Sequence, residues 1–315
     1  MTRSPAPRNR TLKLTDEERS HYATRLLKLS APAAPADILN RTLCQDLFEV
    51  MPWLPSGFVD LMVIDPPYNL SKRFNQQWVK RRSLSDYADW MEQWLSPLVR
   101  VLKPTASVYI CGDWQSSPAI YDIAARYFHI RNRITWEREK GRGAQANWKN
   151  CSEDIWFCTV SPHYYFNPEA VQLKRRVLAP YTANGQPKDW ERGPNGNFRL
   201  TAPSNLWTDL TVPFWSMPEN TDHPTQKPEK LLAKIILASS PAGAVVFDPF
   251  LGSGTTSVVA KKLDRQFVGV ELDDYYACLA EKRLALAEGD RQIQGYADQV
   301  FWERNTLSLQ KKNEP

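Results

Sequence analysis

The stretch AVVFDPFLGSGTT, residues 244–256, decides the fold of this chain. Its first four residues predict a short buried strand, and a loop with two glycines then leads into a helical pattern. Gly252 and Gly254 allow the backbone to approach a ligand, and the free amides at the start of the helix can bind a carboxylate. The next apolar run, residues 266–272, predicts a strand that ends near Glu271, whose carboxylate can accept hydrogen bonds from both ribose hydroxyls.

This glycine loop differs from the two common nucleotide-binding loops. The third glycine of a dinucleotide-binding GxGxxG pattern would fall at Ser257, and the GK[ST] of a phosphate-binding loop is absent. A ligand with a ribose but without phosphates therefore suits the loop better, and S-adenosylmethionine is such a ligand. A tight strand-to-helix turn without a ligand is the alternative interpretation of the GxG pattern alone.

A second motif, DPPYN at residues 65–69, follows another apolar run that predicts a buried strand. Because Pro66 and Pro67 have no N–H donors, the motif offers two acceptors, the Asp65 carboxylate and the carbonyl of the first proline. Two acceptors suit the two hydrogens of an exocyclic amine on a base, whose lone pair can then point at a methyl donor. Tyr68 adds an aromatic face that can stack on a base outside the helix. A proline-rich turn that caps the strand is the alternative.

Strands alternate with helical patterns along most of the chain, which predicts an α/β fold with a mostly parallel sheet covered on both faces. Residues 161–222 are the exception, since prolines, asparagines, tryptophans and glycines crowd there and the periodicity fades. Such a region indicates functional loops or an inserted module. We interpret residues 1–36 as a loosely held arm with a short helix, and residues 291–315 as a C-terminal tail.

Composition argues against several classes of protein. Hydrophobic residues make up 42% of the 315, so a sizeable core can form, yet no run is long enough to span a membrane. The N-terminus lacks the apolar stretch of a signal peptide, so we expect a cytoplasmic protein. The five cysteines form no CxxC pair and the four histidines are scattered, so we expect neither a metal site nor disulfides.

The two motifs, together with HPTQKP at residues 223–228, resemble the amino-methylating DNA methyltransferases of restriction–modification systems. DPPYN resembles their catalytic motif and FDPFLGSGTT their cofactor motif, and the order of the motifs is that of the β-type circular permutation. The resemblance covers residues 38–288. It implies a Rossmann-like, S-adenosylmethionine-dependent methyltransferase fold, with one antiparallel strand in a mostly parallel sheet. It also implies an inserted target-recognition region and base flipping.

The resemblance also assigns segments and residues. Residues 37–160 would form the catalytic half, 161–222 the target-recognition region and 223–290 the cofactor-binding half. The catalytic residues would be Asp65, Pro66, Pro67 and Tyr68. The cofactor-binding residues would be Asp46, Asp65, Lys227, Phe247, Asp248, Phe250, Gly252, Ser253, Gly254, Thr255 and Glu271. Asp46 would sit near the cofactor adenine, although Cys-Gln-Asp departs from the family's usual Gly-Asp-Cys, and Lys227 would approach the methionine carboxylate.

Basic residues are concentrated in two stretches, 71–85 and 131–149, while the net charge is only +5. Since both stretches flank strands of the catalytic half, we expect them to reach DNA phosphates, with solvated loops as the alternative. The expected DNA-binding residues are Lys72, Arg73, Lys80, Arg81, Arg82, Arg138, Lys140, Arg142 and Lys149.

The expected partner is double-stranded DNA. In the family DPPY favours N6 of adenine, so Asp65 indicates adenine, with N4 of cytosine as the alternative. Methylation of RNA or a small molecule, and DNA binding without catalysis, are alternatives of other classes. A cognate restriction endonuclease that acts separately, and a monomer or a homodimer, remain open.

Overall fold

The computed structural model describes residues 8–74, 77–138, 146–177, 181–193, 196–304 and 306. The helices among them are α1 (Asp16–Ala23), α2 (Pro35–Ile38), α3 (Leu47–Val50), α4 (Leu84–Leu98), α5 (Ser117–Tyr127), α6 (Glu229–Ser239), α7 (Thr255–Lys262) and α8 (Asp274–Gly289). Helix α4 begins where the Ser83 hydroxyl accepts the N–H of Asp86, and α8 begins where the Asp273 carboxylate accepts two backbone N–H groups, as side-chain caps do.

The strands of the first half are β1 (Arg41–Cys44), β2 (Val59–Ile64), β3 (Lys72–Phe74), β4 (Gln77–Val79), β5 (Leu102–Gly112), β6 (His129–Glu137) and β7 (Ser152–Thr159). Those that follow are β8 (Leu173–Arg176), β9 (Thr182–Ala183), β10 (Gln186–Pro187), β11 (Glu191–Gly193), β12 (Gly196–Thr201), β13 (Leu206–Trp207), β14 (Val245–Asp248), β15 (Gln266–Glu271), β16 (Tyr296–Ala297) and β17 (Val300–Trp302).

The central sheet has the strand order β1-β15-β14-β2-β5-β7-β6-β13. Strand β7 runs antiparallel to β5 and β6, whereas the other neighbouring pairs are parallel. This confirms the predicted sheet with one antiparallel strand. From β14 the chain continues outward to β15, and from β2 it continues the other way to β5. The edge above β14 and β2 is therefore a topological switch point, where ligands bind in open α/β sheets.

Apolar side chains cover both faces of this sheet. In β2, Met62 and Ile64 belong to a core cluster with α4 and α5, while Leu61 and Val63 belong to a second cluster with α6 and α7. The alternation follows from the two-residue period of a strand. A strand that is buried on both sides has no polar face, which explains why the sequence shows continuous apolar runs.

A second sheet has the order β11-β12-β8-β17-β16. Strand β8 pairs antiparallel with β12 and parallel with β17, so Phe301 lies opposite Leu173. The interpretation of residues 291–315 as a tail is therefore wrong for 296–302, which complete this sheet. Strand β13, also from the irregular region, joins the central sheet beside β6.

The N-terminal segment is docked rather than loosely held. Helix α1, which confirms the predicted short helix, packs along α8 through two ion pairs, Arg19 with Asp274 at 2.5 Å and Lys282 with Glu18 at 2.6 Å. These contacts join residues more than 250 positions apart, which local sequence patterns do not show. None of the described helices has both the length and the apolar composition needed to cross a membrane.

Candidate active site

A cavity of about 430 Å³ opens at the carboxyl ends of four neighbouring strands. Strands β1, β15, β14 and β2 each deliver one carboxylate to its wall, from Asp46, Glu271, Asp248 and Asp65 respectively. Because parallel strands end at the same edge, residues far apart in sequence meet here. The DPPY motif and the glycine loop thus line one common cavity.

The glycine loop is held by Glu271. Its carboxylate accepts the backbone N–H of Gly252 at 2.7 Å and that of Asp273 at 2.8 Å. Burial raises the pKa of this carboxyl to about 7, although the two N–H groups oppose the shift. Gly252 has φ +56°, and a Cβ there would lie 3.1 Å from the ring of His223. The loop therefore requires glycine at this position.

Two predicted cofactor residues, Gly254 and Asp248, shape the loop through contacts within the protein. A Cβ on Gly254 would lie 2.5 Å from the Cβ of Ala280, so this glycine lets α7 approach α8. Asp248 accepts the N–H of Phe250 at 2.9 Å and the hydroxyl of Thr256 at 2.5 Å, and burial raises its pKa to about 7. Asp248 thus holds the glycine loop and also lines the cavity.

The remaining predicted loop residues divide between core and cavity. Phe247 is fully buried against Phe58, so its side chain belongs to the core and does not line the cavity. Phe250, Ser253 and Thr255 do line it. The expectation for Phe247 is therefore wrong, because alternate residues of β14 point to opposite sides of the sheet.

Arg283 supports the loop from α8, and sequence reasoning missed it. Its guanidinium donates to the Ser253 carbonyl and the Thr255 hydroxyl, both at 2.9 Å, and to Glu229 at 3.0 Å. The side chain is buried, so this ion pair with Glu229 replaces its hydration. Arg283 belongs to no sequence motif, and its role is visible only in the contacts that it makes from α8 to the start of α7.

Lys227 is paired with the Asp65 carboxylate. Its ammonium donates to both oxygens of Asp65 at 2.7 Å and lies 3.1 Å from the hydroxyl of Tyr68. Burial raises the pKa of Asp65, and the lysine charge opposes that shift. Burial by itself would lower the pKa of Lys227, but the charges of Asp65 and Glu153 outweigh it and raise that pKa. The residue expected near the methionine carboxylate is thus an ion-pair partner of Asp65.

Glu153, on the antiparallel strand β7, is a further site residue that the sequence did not reveal. Only 5% of its side chain is exposed, and it accepts a hydrogen bond from Tyr68 at 3.0 Å and one from Arg138 at 2.6 Å. Lys227 lies 3.5 Å away. Two carboxylates, Asp65 and Glu153, therefore flank one ammonium, and the tyrosine hydroxyl is fixed between them.

The sequence model of the DNA methylase family, the N6/N4 methyltransferases, matches residues 59–282. The chain belongs to this family. It is 32% identical over 266 residues to the type II methyltransferase M.BglII from Bacillus subtilis, covering 80% of this chain and 70% of that protein. It is 34% identical over 245 residues to the DNA adenine methyltransferase YhdJ from Escherichia coli K12, covering 74% of this chain and 79% of that protein.

Solved structures show the same fold. The methylase matches the cytosine-N4-specific PvuII DNA methyltransferase with a TM-score of 0.56 and 17% identity, over 80% of this chain and 92% of that one. It matches the M1.HpyAVI complex with S-adenosylmethionine with a TM-score of 0.50 and 24% identity, over 77% and 98% respectively. The predicted Rossmann-like methyltransferase fold and the resemblance to restriction–modification amino-methyltransferases are confirmed.

The cavity of the methylase fits S-adenosylmethionine, the cofactor that its family implies. The Asp46 carboxylate accepts the N–H of Phe48 at 2.8 Å and so begins α3 at the cavity wall. Phe48 and Leu272 line the cavity and are nearly half exposed, as apolar side chains that receive an aromatic ring would be. Among the described residues no cluster of three or more His, Cys, Asp or Glu side chains is arranged to hold a metal ion.

The cations expected to bind DNA lie in different environments. Lys80, Arg81 and Arg82 are exposed, and Asn69 fixes the last of them by accepting its N–H at 2.7 Å and donating to its carbonyl at 2.9 Å. Arg138 is instead ion-paired with Glu153 inside the site. Of the other predicted contacts, Lys149 is exposed, the backbones of Lys72 and Arg73 lie on β3, and Lys140 and Arg142 lie outside the described residues.

Proposed function

We propose that this methylase transfers a methyl group from S-adenosylmethionine to N6 of adenine at specific sites in duplex DNA, after the target base has been flipped out of the helix. The observation that carries the proposal is the common cavity of Asp65 and the Gly252 loop, on the neighbouring strands β2 and β14. A base amine bound at Asp65 would lie beside a methyl donor bound at the glycine loop. In-line transfer requires that proximity.

The ion pair with Lys227 supports an ionised Asp65. A carboxylate has about four acceptor positions, so Asp65 can bind both the ammonium and an amine hydrogen. The Pro66 carbonyl would accept the second hydrogen. As the amine attacks, positive charge develops on its nitrogen, and a fixed carboxylate stabilises that charge without reorganising. When bound, S-adenosylmethionine would supply an electrophilic methyl group and leave as S-adenosylhomocysteine, and the methylated amine would release one proton to solvent.

The cofactor is proposed to bind across β1, β15 and β14. Its adenine would lie between Phe48 and Leu272, and its ribose would reach Glu271, which already accepts two backbone N–H groups and has acceptor positions left. Its methionine carboxylate would reach the backbone near Ser253, at the start of α7. Arg283 would act as a positioning residue, because it contacts the loop and not the cavity.

The second sheet is proposed to recognise the DNA sequence. It is built from β8, β11 and β12 of the irregular region, with β16 and β17 from the C-terminal segment. Lys230 and Lys234 of α6 fix it to the catalytic domain, since both pair with the buried Asp209 and the former also donates to the carbonyl of Trp302. A reading surface on a rigid scaffold presents its side chains at a defined distance from the catalytic cavity.

Adenine is favoured by the DPPY form of the catalytic motif, and the name of the relative YhdJ supports the same base.

The decisive experiment incubates unmethylated duplex DNA with the protein and labelled S-adenosylmethionine, followed by digestion to nucleosides. We expect N6-methyldeoxyadenosine with the wild type and far less of it with Asp65→Ala over the same time. N4-methyldeoxycytidine as the product would establish the alternative base, and absence of any methylated nucleoside would overturn the proposal.

A further inference from the structure

Trp148 is almost entirely exposed, with 93% of its surface open to solvent. Every other large hydrophobic side chain of the described residues is more covered, and the next is Tyr181 at 66%. An indole in water is unfavourable, because the ring is large and mostly apolar. A tryptophan held in this position therefore indicates a partner that covers it when the protein works.

The position of Trp148 connects it to the catalytic cavity. It lies in the segment between β6 and β7, and the N–H of Arg138 donates to the carbonyl of Cys151 at 2.6 Å, which closes the base of that segment. Arg138, which makes this hydrogen bond, and Glu153, two residues after Cys151, both line the cavity. Two residues, Lys149 and Asn150, lie between Trp148 and Cys151, so the Cα atom of the tryptophan is at most about 11 Å from that of Cys151, which is hydrogen-bonded to the cavity-lining Arg138.

The surroundings of the tryptophan suit a nucleic acid. Lys149 follows it and is exposed, and Lys80 and Arg82 are exposed cations that line the cavity. Cations at the rim attract phosphates, whereas an aromatic plane stacks on any base. The N–H of Trp148 donates to the side chain of Asn147 at 2.7 Å, which orders the backbone directly before the ring.

We propose that Trp148 inserts into the DNA duplex and stacks in the space that the target base leaves when it is flipped into the cavity. The inference rests on the base-flipping part of the proposed function. A flipped base leaves its neighbours unstacked, which costs free energy. An aromatic ring close to the cavity can restore that stacking, and at the same time its own apolar surface leaves water.

The test compares Trp148→Ala and Trp148→Phe with the wild type in single-turnover methylation. The methylated position is first located by sequencing DNA treated with the wild-type protein. Two short duplexes carrying that site are then used, one fully paired and one with the target base mispaired. A mispaired base is easier to extrude, so a residue that stabilises the flipped state matters less there.

On the paired duplex we expect Trp148→Ala to lower the rate or the affinity about five- to a hundredfold, the range of one lost stacking contact. On the mispaired duplex the loss should be clearly smaller. Trp148→Phe keeps an aromatic plane and should stay close to the wild type on both. Because the side chain is exposed, the melting temperature of all three proteins should agree.

Three results would overturn the inference. Equal activity of Trp148→Ala and wild type on the paired duplex would show that the ring does not act on DNA. Equal losses on both duplexes would indicate a general DNA contact. A second copy of the chain would be the partner if the wild type dimerised with increasing concentration, and if Trp148→Ala abolished that dimerisation without any loss of methylation. If the wild type methylates no DNA, the proposed function fails and the inference fails with it, whereas normal wild-type methylation confines any failure to Trp148.

Discussion

The ammonium of Lys227 lies 2.7 Å from both carboxylate oxygens of Asp65. The lysine precedes α6 and the aspartate ends β2, so this pair joins the HPTQKP segment to the DPPY motif across 162 positions of sequence. Both side chains are largely withdrawn from water, and each therefore controls the charge of the other. The proposed chemistry needs Asp65 ionised, which makes Lys227 its positioning residue.

Replacing Lys227 with methionine should shift the pH dependence of methyl transfer. Burial raises the pKa of Asp65 and the lysine opposes that rise, so removal of the lysine raises the pKa further. Since Asp65 acts when ionised, activity will be lost at a higher pH as the solution is acidified. We expect the acidic limb of the single-turnover rate profile to move to higher pH.

The matched control for that experiment is Lys227→Arg, which keeps the positive charge and should leave the acidic limb near its wild-type position. An unchanged limb in Lys227→Met, with the melting temperature showing an intact fold, would mean that the ion pair does not set the ionisation of Asp65 during catalysis.

Glu271→Ala should weaken the binding of S-adenosylmethionine by about 1.5–3 kcal/mol, as expected for hydrogen bonds to a charged group. In the wild type, burial raises the pKa of Glu271 to about 7, and protonation removes acceptor capacity. Cofactor affinity measured by calorimetry should therefore fall as the pH drops below about 7. Glu271→Gln, which is neutral throughout, should lack this dependence. Unchanged affinity in the alanine variant would exclude the proposed ribose contact.

Neutralising the exposed stretch Lys80, Arg81 and Arg82 should flatten the salt dependence of DNA binding. Each lost phosphate contact removes about 0.9 from the slope of log affinity against log salt concentration. Arg291→Ala is a suitable control, because Arg291 is exposed but pairs with Asp264 at the opposite edge of the sheet, just before β15. Identical slopes for the triple variant and the wild type would place the stretch away from DNA.

Transfer of DNA specificity should require two segments. Strand β17 lies between β8 and β16 in the second sheet, so grafting residues 161–222 from a relative leaves two of its five strands, β16 and β17, mismatched. We expect a chimera that also exchanges 291–306 to fold better, as judged by melting temperature, and to methylate the relative's site. An active double chimera that still methylates the original site would locate recognition elsewhere.

The sequence predicted the central sheet and the ends of its strands well, because the strands are buried on both faces and DPPY and the glycine loop have unusual compositions. It missed Glu153 and Arg283. A single acid in a strand or a single arginine in a helix carries no pattern, and only the fold shows that the first faces the cavity and the second supports the loop.

The chain ends were misjudged for a related reason. Phe301 pairs with Leu173, and Arg19 pairs with Asp274, and neither contact leaves a local signature. Gly254 was assigned to ligand approach, but its nearest constraint is Ala280 on another helix. Local periodicity identifies elements, whereas the contacts between distant elements depend on tertiary packing.

We expect Asp65 to act in methyl transfer and to contribute little to cofactor binding. The most direct test is single-turnover methylation of duplex DNA with labelled donor, comparing Asp65→Ala with the wild type, while calorimetry measures cofactor affinity. Asp65→Asn keeps the shape of the side chain and serves as the control for folding. We predict a rate about a hundred- to a thousandfold lower for Asp65→Ala, with cofactor affinity nearly unchanged. A near-normal rate in that variant would mean that the DPPY motif is not the active site.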